Sequence, residues 1–139
     1  MKILTNEMRK CSRGPETWFT GTVWLDEIVT GAAPSRLKAI RVVSFEPGSH
    51  TAWHTHPVGQ ALHVLSGVGL VQLKGQPAQA IRSGDLLWIE AGEEHWHGAA
   101  PEHTMVHLAM QEMDAAGVHV VWLARVSDKE YAAATQPRD

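Results

Sequence analysis

Short apolar and β-branched runs, closed at intervals by glycine or proline, set the tightest limit on how this chain can fold. "WFTGTVWL", "KAIRVVSFEPG", "QALHVLSG", "VGLVQLKGQPAQAIRSGD", "LLWIEAGEEHWHG", "HTMVHLAMQE" and "VHVVWLARV" each have the composition of strands with a turn residue at or near their ends. Such runs predict an all-β sandwich or barrel, since an isolated hairpin buries too little apolar surface to stand alone. "KGQP" and "RSGD" read as hairpin turns, because each places glycine beside a polar or proline residue. The one persuasive helix signal is "SDKEYAAA", where Ser127 is placed as N-cap and Glu130, three residues on, as its capping-box partner. "TGAAPSRL" reads as a loop, not a domain linker, and neither an internal repeat nor a low-complexity tract is present.

Size fits one such unit: 139 residues at 44% apolar composition can bury one core and leave little for a second. The formal charge of −3 comes from interspersed acids and bases, which leaves no footprint for nucleic acid or a membrane surface and favours a small-molecule substrate or a protein partner. Cys11 is the only cysteine, so no internal disulfide can form. A lone thiol suits a reducing compartment, and "MKILTNEMRKCSRG" lacks the apolar stretch of a signal peptide. A cytoplasmic protein is expected.

Chemistry enters with the nine histidines. His54 and His56 stand one residue apart, so on a strand both rings project from one face, and Gln60 has the same parity. His95 and His97 form a second pair of this kind. Two such pairs on facing hairpins can surround one cation. A glutamine carbonyl is a neutral ligand, so beside imidazoles it leaves a divalent metal its full charge, favouring Lewis-acid over redox work. Imidazoles and an amide oxygen suit Mn2+, Fe2+, Co2+, Ni2+ or Zn2+ alike.

Gly48, His54, His56, Gln60 and Gly67 together resemble the first cupin motif, and Gly84, Gly92 and His95 the second, with Glu90 in place of the usual proline and Ala99 of the usual asparagine. The resemblance implies one cupin domain over 1–139. Its double-stranded β-helix, a jelly-roll-like barrel, would span about residues 17–126, with a short C-terminal helix. Carried over by position, the metal ligands become His54, His56, Gln60 and His95. "TWFTGTVWLD", "SFEPGSHTAWHTHPVGQALHV", "EEHWHGAAPEHTMVHLAMQE" and "SDKEY" are similar to the bacterial cupin hydroxynitrile lyases and their uncharacterised neighbours, which implies manganese and a carbon–carbon lyase.

In such a lyase His107 would take the hydroxyl proton of a cyanohydrin, and Arg41, Gln111 or His97 would assist the departing cyanide. Residue pattern and resemblance conflict on two of these. The apolar alternation of Val106, Leu108 and Met110 predicts that His107 and Gln111 face water, whereas the resemblance places both beside the metal. In "AIRVVSF" neither face is decisively polar, so Arg41 is read equally as a pocket residue or as a strand-end residue snorkelling to solvent. His97 shares the parity of His95 and is expected in the same cavity; His63 should face away, and His50, His103 and His119 have no matching role. Two other functions stand beside the lyase: a dioxygenase or isomerase of enol or aromatic-pathway metabolites, and a non-catalytic small-molecule-binding cupin. The six tryptophans are read as packing or interface residues. A homodimer or homotetramer is expected through the N-terminal strand, with Trp18, Phe19 and Trp24 at the contact.

Overall fold

The computed structural model describes residues 1–136, so the last three residues of the expected domain lie outside it. A short 3-10 turn (Asn6–Met8) precedes β1 (Cys11–Arg13), β2 (Phe19–Thr20), β3 (Val23–Val29), β4 (Leu37–Phe45), β5 (His50–Thr51) and β6 (His54–Thr55). Then come β7 (Gln60–Leu73), β8 (Gln79–Arg82), β9 (Leu86–Ile89), β10 (His95–Ala99), β11 (Met105–Glu112), β12 (Val121–Trp122) and α1 (Asp128–Thr135). The expected all-β cupin-type barrel with a short terminal helix is what forms. The run at 118–126 contributes only the two residues of β12, and β1 extends the sheet before residue 17.

The strands lie in the order β1-β3-β4-β11-β7-β10-β5-β2, and one strand joins the two faces of the barrel. The first half of β7 pairs with β11 and β9, and its second half with β10 and β8. The bend between them falls at Gly67, whose φ is +82° and where a Cβ would stand 1.9 Å from the Thr104 carbonyl oxygen. Only glycine meets both demands.

Between the faces Phe19, Val23, Phe45, Leu62, Val64, Ile89 and Met105 form the main core. A second cluster of Trp53, Leu70, Trp96 and Val126 lies outside it, with Tyr131 and Ala134 of α1 packed against it. The helix is started by the expected capping box of Ser127 and Glu130, and Tyr131 donates its hydroxyl to the Ala99 carbonyl at 2.7 Å. One outer sheet face is thus covered by the chain itself.

The opposite outer face is not covered by any of the described residues. Trp88, Ala61, Met110 and Ile40 form one cross-strand row, and Leu86, His63, Leu108 and Val42 the next. Leu86 is 71% and Trp88 61% exposed. This face corrects the reading of β11: Val106, Leu108 and Met110 point outward, and His107 and Ala109 inward, both buried. The N-terminal strand packs on its own protomer. Phe19 is buried, edge-on to Phe45 at 6.2 Å and to Trp122 at 6.0 Å, and β2 pairs with β5. Phe19 thus packs inside its own barrel and Trp18, half-buried, stacks on Trp122, while Trp24 remains 40% exposed.

Candidate metal centre

His54 on β6 pairs directly opposite His95 on β10, which sets their rings 4.2 Å apart between centroids. Strand alternation brings in the second member of each pair, with the His56 ring 5.0 Å from His54 and the His97 ring 5.3 Å from it. Backbone carbonyls fix the protons. The Nδ1–H of His54 donates to Ala52 at 2.9 Å, that of His95 to Glu93 at 2.8 Å, and that of His56 to His119 at 2.7 Å. A carbonyl can only accept, so each Nδ1 carries the proton and each Nε2 of the neutral rings keeps its lone pair.

Burial keeps these rings neutral, because removing imidazolium from water is costly. It pushes His95 to about 4. His54 is held well below the ordinary histidine range by the same effect and by its neighbours His95 and His56. His54, His95 and His97 bring one ring nitrogen each within 4.8 Å of one another, a triad able to hold a metal.

Gln60 opens β7 directly opposite Gln111 of β11 and donates Nε2–H to Gln111 Oε1 at 2.7 Å. Among the described residues, Gln60 Oε1, His56 Nε2, His95 Nε2 and His97 Nε2 are buried with no hydrogen-bond partner. Several orphaned lone pairs in one place are costly unless something binds them. His107 lies 3.1 Å from His97, Nε2 to Nδ1, and its own Nδ1 is also buried without a partner. Burial lowers the His107 ring to about 4. One proton is shared along that contact, so one free end of the pair accepts a proton and the other donates one.

The residues surround a cavity of about 200 Å³. Trp18, Phe19, Leu25, Val43, Ala109 and Trp122 make its apolar wall, and the imidazoles and amides its polar one. Arg41 lines the cavity and the adjoining cleft, with its Nη2 3.1 Å from Glu27 Oε2. The set Arg41, Val43, Phe45 is therefore the inward one.

The pattern of the cupin domain matches residues 41–110, half of the chain. The chain belongs to the cupin family. It is 48% identical over 132 residues to an (R)-mandelonitrile lyase of Granulicella tundricola, a match covering 94% of this chain and 98% of that protein. A cupin-like protein of Thermotoga maritima superposes with a TM-score of 0.85 at 38% identity, covering 91% of this chain and 95% of the other. The polyketide cyclase RemF of Streptomyces resistomycificus shares the fold, with a TM-score of 0.72 at 19% identity over 99% of this chain and 94% of its own.

In this cupin the positions singled out by sequence, namely His54, His56, Gln60, His95, His97, His107, Gln111 and Arg41, converge on one place. All but His95 line the cavity, and His95 lies behind with its ring against His54. His63 faces outward as expected, and His50 stacks on Tyr131 at 4.4 Å, away from the site. Three contributors were missed: Trp18 and Trp122, read as packing residues, and His119. The last sits in the loop between β11 and β12, where no strand parity exists to place it.

Proposed function

We propose that this cupin is a metal-dependent hydroxynitrile lyase, cleaving or forming a cyanohydrin from an aldehyde or ketone and hydrogen cyanide. What carries the reading is one cavity joining orphaned donor atoms to a proton-accepting histidine pair, in a chain 48% identical to an (R)-mandelonitrile lyase along nearly its whole length. The ligands are His54, His56, Gln60 and His95. His97 could also ligate through its unpartnered Nε2, but its contact with His107 assigns it here to the proton path, as the family resemblance implies. Mn2+ is the proposed ion, and Fe2+, Co2+, Ni2+ and Zn2+ also suit these donors. A divalent cation on an all-neutral donor set supplies strong Lewis acidity to a substrate oxygen.

The protein's own residues do the rest. His107 Nδ1 takes the hydroxyl proton in the tautomer whose Nε2–H donates to His97, and His97 then carries its proton on Nε2. The bond from the carbinol carbon to the nitrile carbon breaks, and its electron pair leaves with cyanide. The oxygen lone pair freed by deprotonation becomes the second bond of the carbonyl. Passing one proton through the pair releases the His97 Nε2 proton to the cyanide, so atoms and charge balance. Arg41 and Gln111 stand on the same wall, Arg41 supplying positive charge to the departing anion. Trp18, Phe19 and Trp122 hold the apolar part of the substrate and exclude water.

The test is direct. Mn2+-loaded protein incubated with mandelonitrile should release benzaldehyde well above a metal-free control, and no release above that control overturns the proposal. Oxygen uptake with enol substrates would favour a dioxygenase instead. For assembly, we propose a homodimer or a dimer of dimers in which a second copy of the chain meets the N-terminal strand at the exposed Trp24, with the uncovered outer face of β4, β11, β7 and β9 as the second surface available to it. Light scattering should give a multiple of the 15.3 kDa protomer, and the protomer mass itself would exclude it.

A further inference from the structure

His119 reaches the site twice from outside the proposed ligand set. Its carbonyl accepts the Nδ1–H of His56, and its ring Nδ1 lies 2.9 Å from Gln111 Nε2, whose Oε1 in turn holds Gln60 Nε2. The loop that carries it is itself braced. Asp114 Oδ1 accepts the N–H groups of Ala116 and Val118, both at 2.9 Å, and the Asp114 N–H donates to the Val118 carbonyl. Two of the four proposed ligands therefore hang from one residue that no strand places.

The direction of these bonds matters, because a carboxamide has one donating end and one accepting end. When His119 Nδ1 accepts, Gln111 must turn its Nε2 to the loop and its Oε1 to β7. Gln60 must then turn its Nε2 to Gln111, which leaves its Oε1 beside His56 as a buried lone pair. Reverse the first bond and both amides turn over, and Gln60 presents an NH2 group, which cannot ligate a cation. We infer that His119 is a positioning residue: acting through Gln111, its ring nitrogen decides which end of the Gln60 amide faces the metal position. This rests on the ligand role proposed for Gln60 and is independent of the lyase reaction.

The experiment measures Co2+ affinity by chelator competition, followed through the visible absorption of the bound ion. His119→Ala should weaken binding roughly 10- to 100-fold, the usual cost of losing a group that orients a ligand. His119→Asn, whose side-chain oxygen can accept near the place of Nδ1, should recover most of that loss. Gln111→Ala should match His119→Ala, and the double variant should bind no worse than Gln111→Ala alone, because both act on one path. Wild-type affinity in His119→Ala overturns the inference. So does His119→Asn behaving like His119→Ala, or losses that add in the double variant, since either would mean that the ring only packs. Metal-free urea unfolding of each variant separates a misfolded loop from a misdirected amide. Mandelonitrile turnover has no bearing on these outcomes, so failure of the lyase reading stays distinct.

Discussion

The two halves of the proposed metal centre are anchored in different ways. His54 and His95 are steadied by carbonyls two residues earlier in the chain, in the turns just before their strands, and the strands themselves pair at His54 and His95. His56 and Gln60 are steadied across 63 and 51 residues, through the β11–β12 loop and β11. The first half is fixed by neighbouring residues; the second also needs β11 and the loop after it in place. A ligand motif thus specifies which atoms are available, while remote contacts decide whether they are aimed.

The largest test of that division is His95→Ala. It removes a ligand from the locally anchored half, which no loop contact can replace, and should abolish metal retention while the β-barrel remains folded; metal content by elemental analysis reads it, and wild-type content would overturn the assignment. The next largest effect is on pH. The unfolded chain protonates its histidines near 6.5, whereas burial holds His95 and His107 at about 4. Between those values the unfolded state binds more protons, so the metal-free fold should lose stability as pH falls from about 6.5 to 4, by on the order of 3 kcal/mol for each such ring. Urea midpoints at pH 7, 6 and 5 measure it, and a flat profile would show that the rings are not buried as neutral bases.

Gln60→Glu probes the remotely anchored half. A carboxylate offers two equivalent oxygens and a negative charge, so metal should be held at least as tightly, while mandelonitrile turnover falls by about tenfold as Lewis acidity drops. An unchanged rate at full occupancy would mean that the neutral amide is not tuned for the reaction. The smallest effect is expected from Asp114→Ala, which loosens the loop and leaves both local anchors intact. It should weaken Co2+ binding a few-fold, at about 1 kcal/mol for lost hydrogen bonds, and an effect as large as that of His95→Ala would erase the distinction between the halves.

The same division explains what the sequence disclosed. The strand succession, the capping box at Ser127 and the inward pairs His54/His56 and His95/His97 were legible because they depend on alternation and short spacings. His107 was not legible from pattern. On β11 the outward residues Val106, Leu108 and Met110 are more apolar than the inward ones, since one sheet face is left uncovered and the inside is a site. Only the motif resemblance placed it correctly. His119 and Trp122 lay beyond both methods, one in a loop and the other on a two-residue strand whose neighbours are irregular. Phe19 meets a related limit, because composition shows that a strand is apolar but not which core it packs into.

The stack of Trp18 on Trp122 gives the cavity an optical voice. Their rings lie 5.3 Å apart and 10° from parallel, on the wall that a substrate would touch. Stacked indoles couple their strong transitions, so this wall should contribute an exciton couplet to the far-ultraviolet circular dichroism, with the other four tryptophans lying outside the cavity. A ligand entering the cavity must disturb that coupled pair, and binding can be followed without a label, even for compounds that the protein never transforms.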